Sequence, residues 1–448
     1  MDKVLMAVIH SCCAGLDVHK KVIQACIRLL NERGEVVMKF REFGTTTREL
    51  LALAAWLGEH RVTHVAMEST GVFWKPVFNV LEAQCEVLLC NARHVKNVPG
   101  RKTDLKDCEW LAQLLQCGLL RGSFIPPPAQ RELRDLTRSR ASLQDDKARV
   151  ANRIHKILED ANIKLGSVAT DVLGVTGREI LQKLMNGETE PAALAQSARG
   201  RLKQKKPQLQ AALEGRVSEH HRFMLRLEWE QLRELEVLIE RLDARIEMQM
   251  GRPELSPVET KKVPSQTPEA QAGTKAAKPL QALPFLAAAK LLDAMWGINQ
   301  CSAENILAEI GTDMSRFPSA QHLASWAGMC PGNNESAGKR KSGTTCKGNR
   351  WLRRALTQAA WAAIHAKKSY FRALYYRLAP RRGKQRALVA VAHSMLVTLY
   401  HMLKRHTAYA DLGPAHFDRC HKERRTRSLI QRLEALGYRV ALAPKLAS

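Results

Sequence analysis

Over the first 125 residues the apolar and polar positions predict short strands and helices in the order βββαβαβα, an α/β arrangement. From Val4 to Leu16 no Asp, Glu, Lys or Arg appears, as in a buried strand. Leu16 to Leu29 is rich in Val and Ile, and Gly34 to Phe40 gives a further strand after an Asn31/Gly34 turn, so a hairpin follows. Thr45 to Trp56 reads as a Thr-capped helix, Val62 to Met67 as a buried strand, Val72 to Ala83 as a helix and Cys85 to Cys90 as a strand. Three consecutive prolines, Pro126, Pro127 and Pro128, end this unit, because they supply no amide donors.

Beyond the prolines the period changes to that of long helices. Leu133, Leu136, Leu143, Val150, Ile154, Ile157 and Ala161 recur at three-four spacing, interrupted at Arg140 and Lys147. Leu225, Leu232, Ile239 and Ile246 are seven apart, Leu235 and Leu242 supply the other seam position, and Glu228 spoils one. The region 129–250 is therefore expected to be a helical coiled coil, either an antiparallel pair or a dimer stalk. Residues 251–279 have the Pro-, Lys- and Ala-rich composition of a flexible linker. A mostly helical domain is expected over 280–410. It has a helical pattern from Ala289 to Ile310, a Gly/Ser/Lys-rich loop over 328–348, and helices from Arg350 to Leu378 and Lys384 to Lys404, with a basic tail over 411–448.

Charge adds what periodicity cannot. Seventy Lys and Arg against 44 Asp and Glu leave +26 on 448 residues, while 45% hydrophobic content argues against wholesale disorder. Such an excess favours a polyanion, nucleic acid before membrane, through counterion release. The eleven cysteines form no CxxC pair and no zinc-finger spacing, and they fit reduced intracellular thiols better than a disulfide framework. Ala387 to Leu403 is a charge-free run of seventeen residues, just short of the ~18 of a spanning helix, and it contains His393, Ser394 and His401. A buried core helix and a cytoplasmic protein without a membrane partner are the expectation.

Four acids punctuate the α/β unit. Asp17 lies within Gly-Leu-Asp-Val-His, Glu68 ends a strand, and Asp104 and Asp107 share a helix face at i, i+3. An acid in an apolar strand is costly unless paired or metal-bound, and strand ends are where α/β sheets place their sites. Together the four suit divalent metals aligned on a phosphate, with Mg²⁺ the expected ion. Singly, Asp104 reads equally as a helix-dipole acid and Glu68 as a cap on the Ser69-Thr70-Gly71 turn. His19 is a possible neighbour of the metals.

A second candidate is the loop Pro331 to Gly343. Small residues beside Ser336 permit close approach to a phosphate, and Lys339, Arg340, Lys341 and Lys347 offer charge for a developing phosphorane. A covalent phosphoserine would conserve the ester energy for rejoining. The alternative is a flexible basic loop that only touches phosphates, and Ser342 competes with Ser336. Trp296-Gly297-Ile298 suggests a helix-hairpin-helix phosphate grip, or simple helix packing.

Taken together, Gly15-Leu-Asp-Val-His-Lys20, Met67-Glu-Ser-Thr-Gly71, Lys102-Thr-Asp-Leu-Lys-Asp107, Phe317-Pro-Ser-Ala, Asn334-Glu-Ser-Ala-Gly338 and Lys347-Gly-Asn-Arg-Trp-Leu-Arg353 resemble the transposases of IS110-family insertion sequences, notably the IS1111 group. The resemblance spans nearly the whole chain. It implies a RuvC-like N-terminal domain of RNase H fold over 1–125 with a DEDD quartet on Asp17, Glu68, Asp104 and Asp107. It further implies a coiled-coil middle and a C-terminal transposase domain with its catalytic serine at Ser336. Members are similar in being recombinases that join donor and target DNA through a structured guide RNA encoded by the element, as dimers forming tetramers. The basic side chains Lys339, Arg340, Lys341, Lys347, Arg350 and Arg353 would then contact nucleic acid in a nucleoid-associated protein. Two departures stand out: Trp296 where a Pro usually precedes the hairpin glycine, and Ala337 where Gly commonly follows the serine. The rival readings are a metal-dependent junction nuclease without a covalent intermediate and a non-enzymatic nucleic-acid-binding protein.

Overall fold

The computed structural model describes residues 8–69, 71–91, 95, 107–120, 122–252, 282–331, 334–336, 339–342, 345, 347–420 and 422–441. The chain divides into two compact units, Met1–Pro126 and Pro127–Ser448. The linker expected over 251–279 falls almost wholly outside the described residues.

In the first unit β1 (Cys12–Val18), β2 (Val22–Leu30), β3 (Val36–Gly44), β4 (His64–Ser69) and β5 (Glu86–Cys90) form one mixed sheet in the order β3-β2-β1-β4-β5. β2 is antiparallel to β1 and β3, whereas β4 is parallel to both β1 and β5. Helices α1 (Thr47–Glu59) and α2 (Trp74–Leu81) cover one face, burying Leu50, Leu53, Leu57, Val77 and Leu81 against Leu16, Ile23, Val65 and Met67. Helix α3 (Asp107–Gln116) covers the other, with Trp110, Leu111 and Leu114 against Cys13, Ala66 and Cys90. Covering on both faces is why β1 reads as a continuous apolar run. The mixed sheet with helices on both sides is consistent with an RNase H-like domain. One expectation is corrected: Leu16 to Leu29 is not a single strand. His19 donates its backbone N–H to Val22 O at 2.9 Å, closing a tight turn between β1 and β2 that the flanking Val and Ile conceal.

The second unit is mostly helical. Helices α4 (Pro128–Asp160) and α9 (Glu219–Met250) run antiparallel, and each polar interruption of one seam meets a charge on the other helix. Arg140 pairs with Asp243 at 2.8 Å, Lys147 with Glu236 at 2.8 Å and Arg153 with Glu228 at 2.8 Å. Each breach of one apolar seam is answered by an opposite charge on the other helix, which fixes their register. Short helices α5 (Leu165–Val168), α6 (Val175–Met185), α7 (Pro191–Ala195) and α8 (Lys206–Ala212) close the far end around Leu165, Ile180, Leu184 and Leu209.

Helices α10 (Phe285–Asp293), α11 (Gln300–Ile310), α12 (Ala320–Trp326), α13 (Arg350–Ala363), α14 (Tyr370–Arg382) and α15 (Lys384–Arg405) complete the packed part, followed by α16 (His416–Cys420) and α17 (Lys422–Ala435). Between α10 and α11, Gly297 has φ +83°, and a Cβ there would stand 2.2 Å from Ala359 O and 2.6 Å from Ala363 N. Close helix packing on α13 therefore accounts for this glycine of the Trp296-Gly297-Ile298 turn. The helix expected from Arg350 to Leu378 is two: the chain breaks before Ser369, whose Oγ accepts from Arg372 N at 3.1 Å and caps α14. Helix α15 is long and apolar enough to cross a membrane by length and composition. Val391, Met395, Leu399 and Leu403 are nevertheless buried along one stripe, and Tyr400 Oη donates to Phe317 O at 3.0 Å.

Candidate active site

Alternation along β1 turns Cys13, Gly15 and Asp17 toward α3. Cys13 Sγ donates to Ala112 O at 3.4 Å, and a Cβ on Gly15 would lie 2.1 Å from Cys108 O and 2.5 Å from Ala112 N. Further back, Ile9 donates its backbone N–H to Gln116 O at 2.8 Å. As β1 advances the helix numbers fall, so α3 runs against the strand and carries Asp107 toward the Asp17 end. Only glycine at 15 lets the helix lie this close. Gly15→Ala is expected to destabilise the first unit by about 3 kcal/mol, read as a lowered chemical-denaturation midpoint. Gly58→Ala in α1, where an added Cβ meets nothing within 4 Å, should cost nothing.

Glu68 is the parallel-strand partner of Asp17, and Ala66, two residues earlier, packs under α3, so both carboxylates occupy one sheet face at the carboxyl ends of adjacent strands. The Asp17 side chain is 16% exposed, and Nε2 of His19 lies 3.0 Å from its Oδ2. His19, the suggested neighbour of the metals, thus holds Asp17 from the β1–β2 turn. Beside Glu68, Cys90 is pushed up to about 12, chiefly by burial and further by the Glu68 charge. Burial likewise pushes Cys13 and Cys26 up to about 12, so these thiols are neutral packing groups under the sheet.

Two neighbouring carboxylates with a third at the start of the covering helix are hard oxygen donors of the kind Mg²⁺ takes. Among the described residues no three His, Cys, Asp or Glu side chains close into one metal-sized group. Asp104 lies outside the described residues.

In the second unit the segment expected as a loop contains a hairpin of β6 (Asn334–Ser336) and β7 (Lys339–Ser342). Ser336 pairs with Lys339 at the turn end, and Ser342 pairs with Asn334 at the base. Below it Pro331 bridges to Thr345, and a Cβ on Gly348 would come within 2.3 Å of Gly328 N, so the two legs are pressed together. Of the side chains of Ser336, Lys339, Arg340 and Lys341 the structure describes nothing. Lys347 and Arg350 are exposed, the Arg350 guanidinium lies 4.9 Å from the Trp351 ring centre, and Arg353 Nη1 donates to Thr345 Oγ1 at 3.1 Å.

The anchor of this hairpin was missed by sequence reasoning. Asn349 caps α13 by accepting from Trp351 N at 3.0 Å and Leu352 N at 3.1 Å, and its Nδ2 donates to Glu309 Oε2 at 2.6 Å. Glu309 also accepts from Arg138 Nε at 2.7 Å and Nη2 at 2.8 Å. Its signal was available: one acid inside the apolar segment Ile306 to Ile310.

Two family models match the chain. One, described as Transposase and carrying the DEDD and IS110 labels, covers residues 14–163, and the other, described as Transposase IS116/IS110/IS902 family, covers 289–376. Together they span just over half of the sequence. Both models describe IS110-type transposases, and over these two blocks the chain is similar to that family. It is 34% identical over 129 residues to the "Insertion element IS110 uncharacterized 43.6 kDa protein" of Streptomyces coelicolor, a match covering 28% of this chain and 31% of that protein. The chain thus spans about a third of the length of the curated relative it matches. Of the two matched blocks the first holds Asp17, Glu68 and Asp107 with the glycine that seats α3, and the second holds Ser336 with its Glu309–Asn349 anchor.

Proposed function

We propose that the protein is the transposase of an insertion sequence, cutting and rejoining DNA strands through a serine-linked intermediate. The reading is carried by one observation: Asp17 and Glu68 stand side by side at strand ends, under a helix that begins with Asp107. Asp17, Glu68, Asp104 and Asp107 would hold Mg²⁺, which when bound supplies the charge that polarises a scissile phosphate. His19 orients Asp17. Ser336 Oγ would form the new bond to phosphorus as the DNA ester oxygen departs with the serine proton, and rejoining reverses these steps. Lys339, Arg340, Lys341, Lys347, Arg350 and Arg353 would contact the nucleic acid around it. The position of Ser336 at the hairpin turn, with Ser342 at its base, favours Ser336 as the nucleophile. In this reading the protein is of the IS1111 group, is guided by a structured RNA of the element, and works in the bacterial cytoplasm on nucleoid DNA. It is a homodimer that assembles to a tetramer, with domains 1–125, 129–250 and 280–410.

The test is incubation of full-length protein with element DNA, Mg²⁺ and element-encoded RNA, followed by denaturing electrophoresis and mass spectrometry of the trapped complex. A phosphoserine at 336, absent in Ser336→Ala and retained in Ser342→Ala, is the expected outcome. Strand cleavage without any adduct would instead favour a junction nuclease in which Ser336 only binds phosphate.

A further inference from the structure

From Ser336 to Ala410 the chain has no Asp or Glu and seventeen Lys and Arg. Some of these cations are used internally: Arg354 pairs with Asp145 across to α4, and Arg372 donates to Ile364 O at 3.2 Å. At the corner joining α14 to α15 they find no internal countercharge among the described residues. Arg377, Arg381, Arg382, Lys384 and Arg386 are all exposed, crowd around the reversal at Gly383 (φ +82°), and form no ion pair among the described residues.

Helix stability does not explain them. Arg381 and Arg382 suit the carboxyl end of α14, but Lys384 and Arg386 stand in the first turn of α15, where the helix dipole opposes cations. That turn holds no acid, and Gly383 gives it no side-chain cap. Like charges placed against a dipole and beside one another cost stability and answer to a polyanion outside the fold. The aromatic rings nearby are already engaged: Arg377 lies 4.8 Å over Phe417 and Arg372 lies 5.0 Å over Tyr376. Unstacked bases want free rings, whereas a duplex backbone wants only charge.

We infer that the α14–α15 corner is a docking surface for the phosphate backbone of double-stranded DNA, gripping it without regard to sequence. The surface begins one residue past the second family match, which ends at 376. The choice of DNA as the duplex rests on the proposed transposition; the charge argument does not.

The test is binding of full-length protein to a random-sequence 40-base-pair DNA duplex across a salt series, without any cleavage step. Arg381→Gln/Arg382→Gln/Lys384→Gln/Arg386→Gln should lower the slope of log affinity against log salt by about 3 to 4, near 0.9 per lost phosphate contact. Arg381→Lys/Arg382→Lys/Arg386→Lys keeps the charge and should keep the slope. A slope unchanged by the glutamine set overturns the inference, as does a loss confined to duplex RNA or to anionic phospholipid vesicles. If the corner fails while the Ser336 adduct forms, the transposase reading stands; if no adduct forms while the slope falls as expected, the docking surface stands.

Discussion

Asp17→Asn is expected to cut Mg²⁺-dependent strand cleavage by about 10²-fold or more while leaving the fold intact. The separation of the two effects follows from where Asp17 sits. Its side chain is 16% exposed and, among the described residues, its close partner is His19 Nε2 at 3.0 Å. Asparagine has the same shape, and its Oδ1 still accepts that hydrogen bond. What disappears is a negative charge next to the Glu68 position, so folding loses little and gains relief from like-charge proximity. A divalent cation held by this acidic face would, by contrast, lose a ligand in the transition state. Cleavage of element-end DNA over a Mg²⁺ titration, with thermal unfolding alongside, separates the two. Glu68→Gln should behave alike, and the double substitution should be little worse than either, because ligands of one site act as a unit. Wild-type cleavage by Asp17→Asn with Mg²⁺ would remove the acidic face from the reaction.

The elements that carry this argument were legible in the sequence to different degrees. Strand and helix types in the first unit followed from apolar runs and caps, because a sheet covered on both faces leaves β1 and β4 almost uninterrupted by charge. The split between β1 and β2 was hidden for the same reason, since Val and Ile flank the turn and no glycine or proline marks it. Asp17 and Glu68 were visible as acids in apolar strands; that they are neighbours follows only from the parallel pairing of two strands 50 residues apart. Gly15 belonged to a quoted motif, yet its reason, the approach of α3, comes from residues over 90 positions away.

In the helical unit the informative residues were the apparent defects. Arg140, Lys147 and Glu228 interrupt two apolar seams, but each is half of a pair whose other half lies on the opposite helix. A one-dimensional pattern shows that a polar residue is out of place; only tertiary packing shows what answers it. The hairpin carrying Ser336 was hidden because its residues Asn334 to Ser342 are polar and basic, with none of the β-branched alternation that marks a strand.

Glu309→Ala should be the most damaging single substitution in the second unit, costing about 3–5 kcal/mol. Glu309 is 1% exposed, and its carboxylate faces the guanidinium groups of Arg138 and Arg134, whose side chains are 31% and 12% exposed. Arg134 is already drawn down to about 10, mainly by burial and against the pull of Glu309, so losing the carboxylate takes from a buried cation the countercharge that opposes its desolvation. Arg134 keeps its bond to Ala308 O at 2.9 Å, which compensates little. The damage should also be directional, because Asn349 loses the acceptor that orients its amide while its carbonyl caps α13. Backbone amides of Trp351 and Leu352 are therefore expected to exchange faster with solvent than those of Ala359 and Ala360 deeper in the same helix. Glu309→Gln keeps the shape but sets an NH₂ group against the donors of Arg138 and Asn349, and should fall between wild type and alanine. Chemical denaturation gives the overall cost and hydrogen exchange its location. If Glu309→Ala were as stable as wild type, or if exchange rose evenly along α13, the carboxylate would not be the post on which the base of the Ser336 hairpin is fixed.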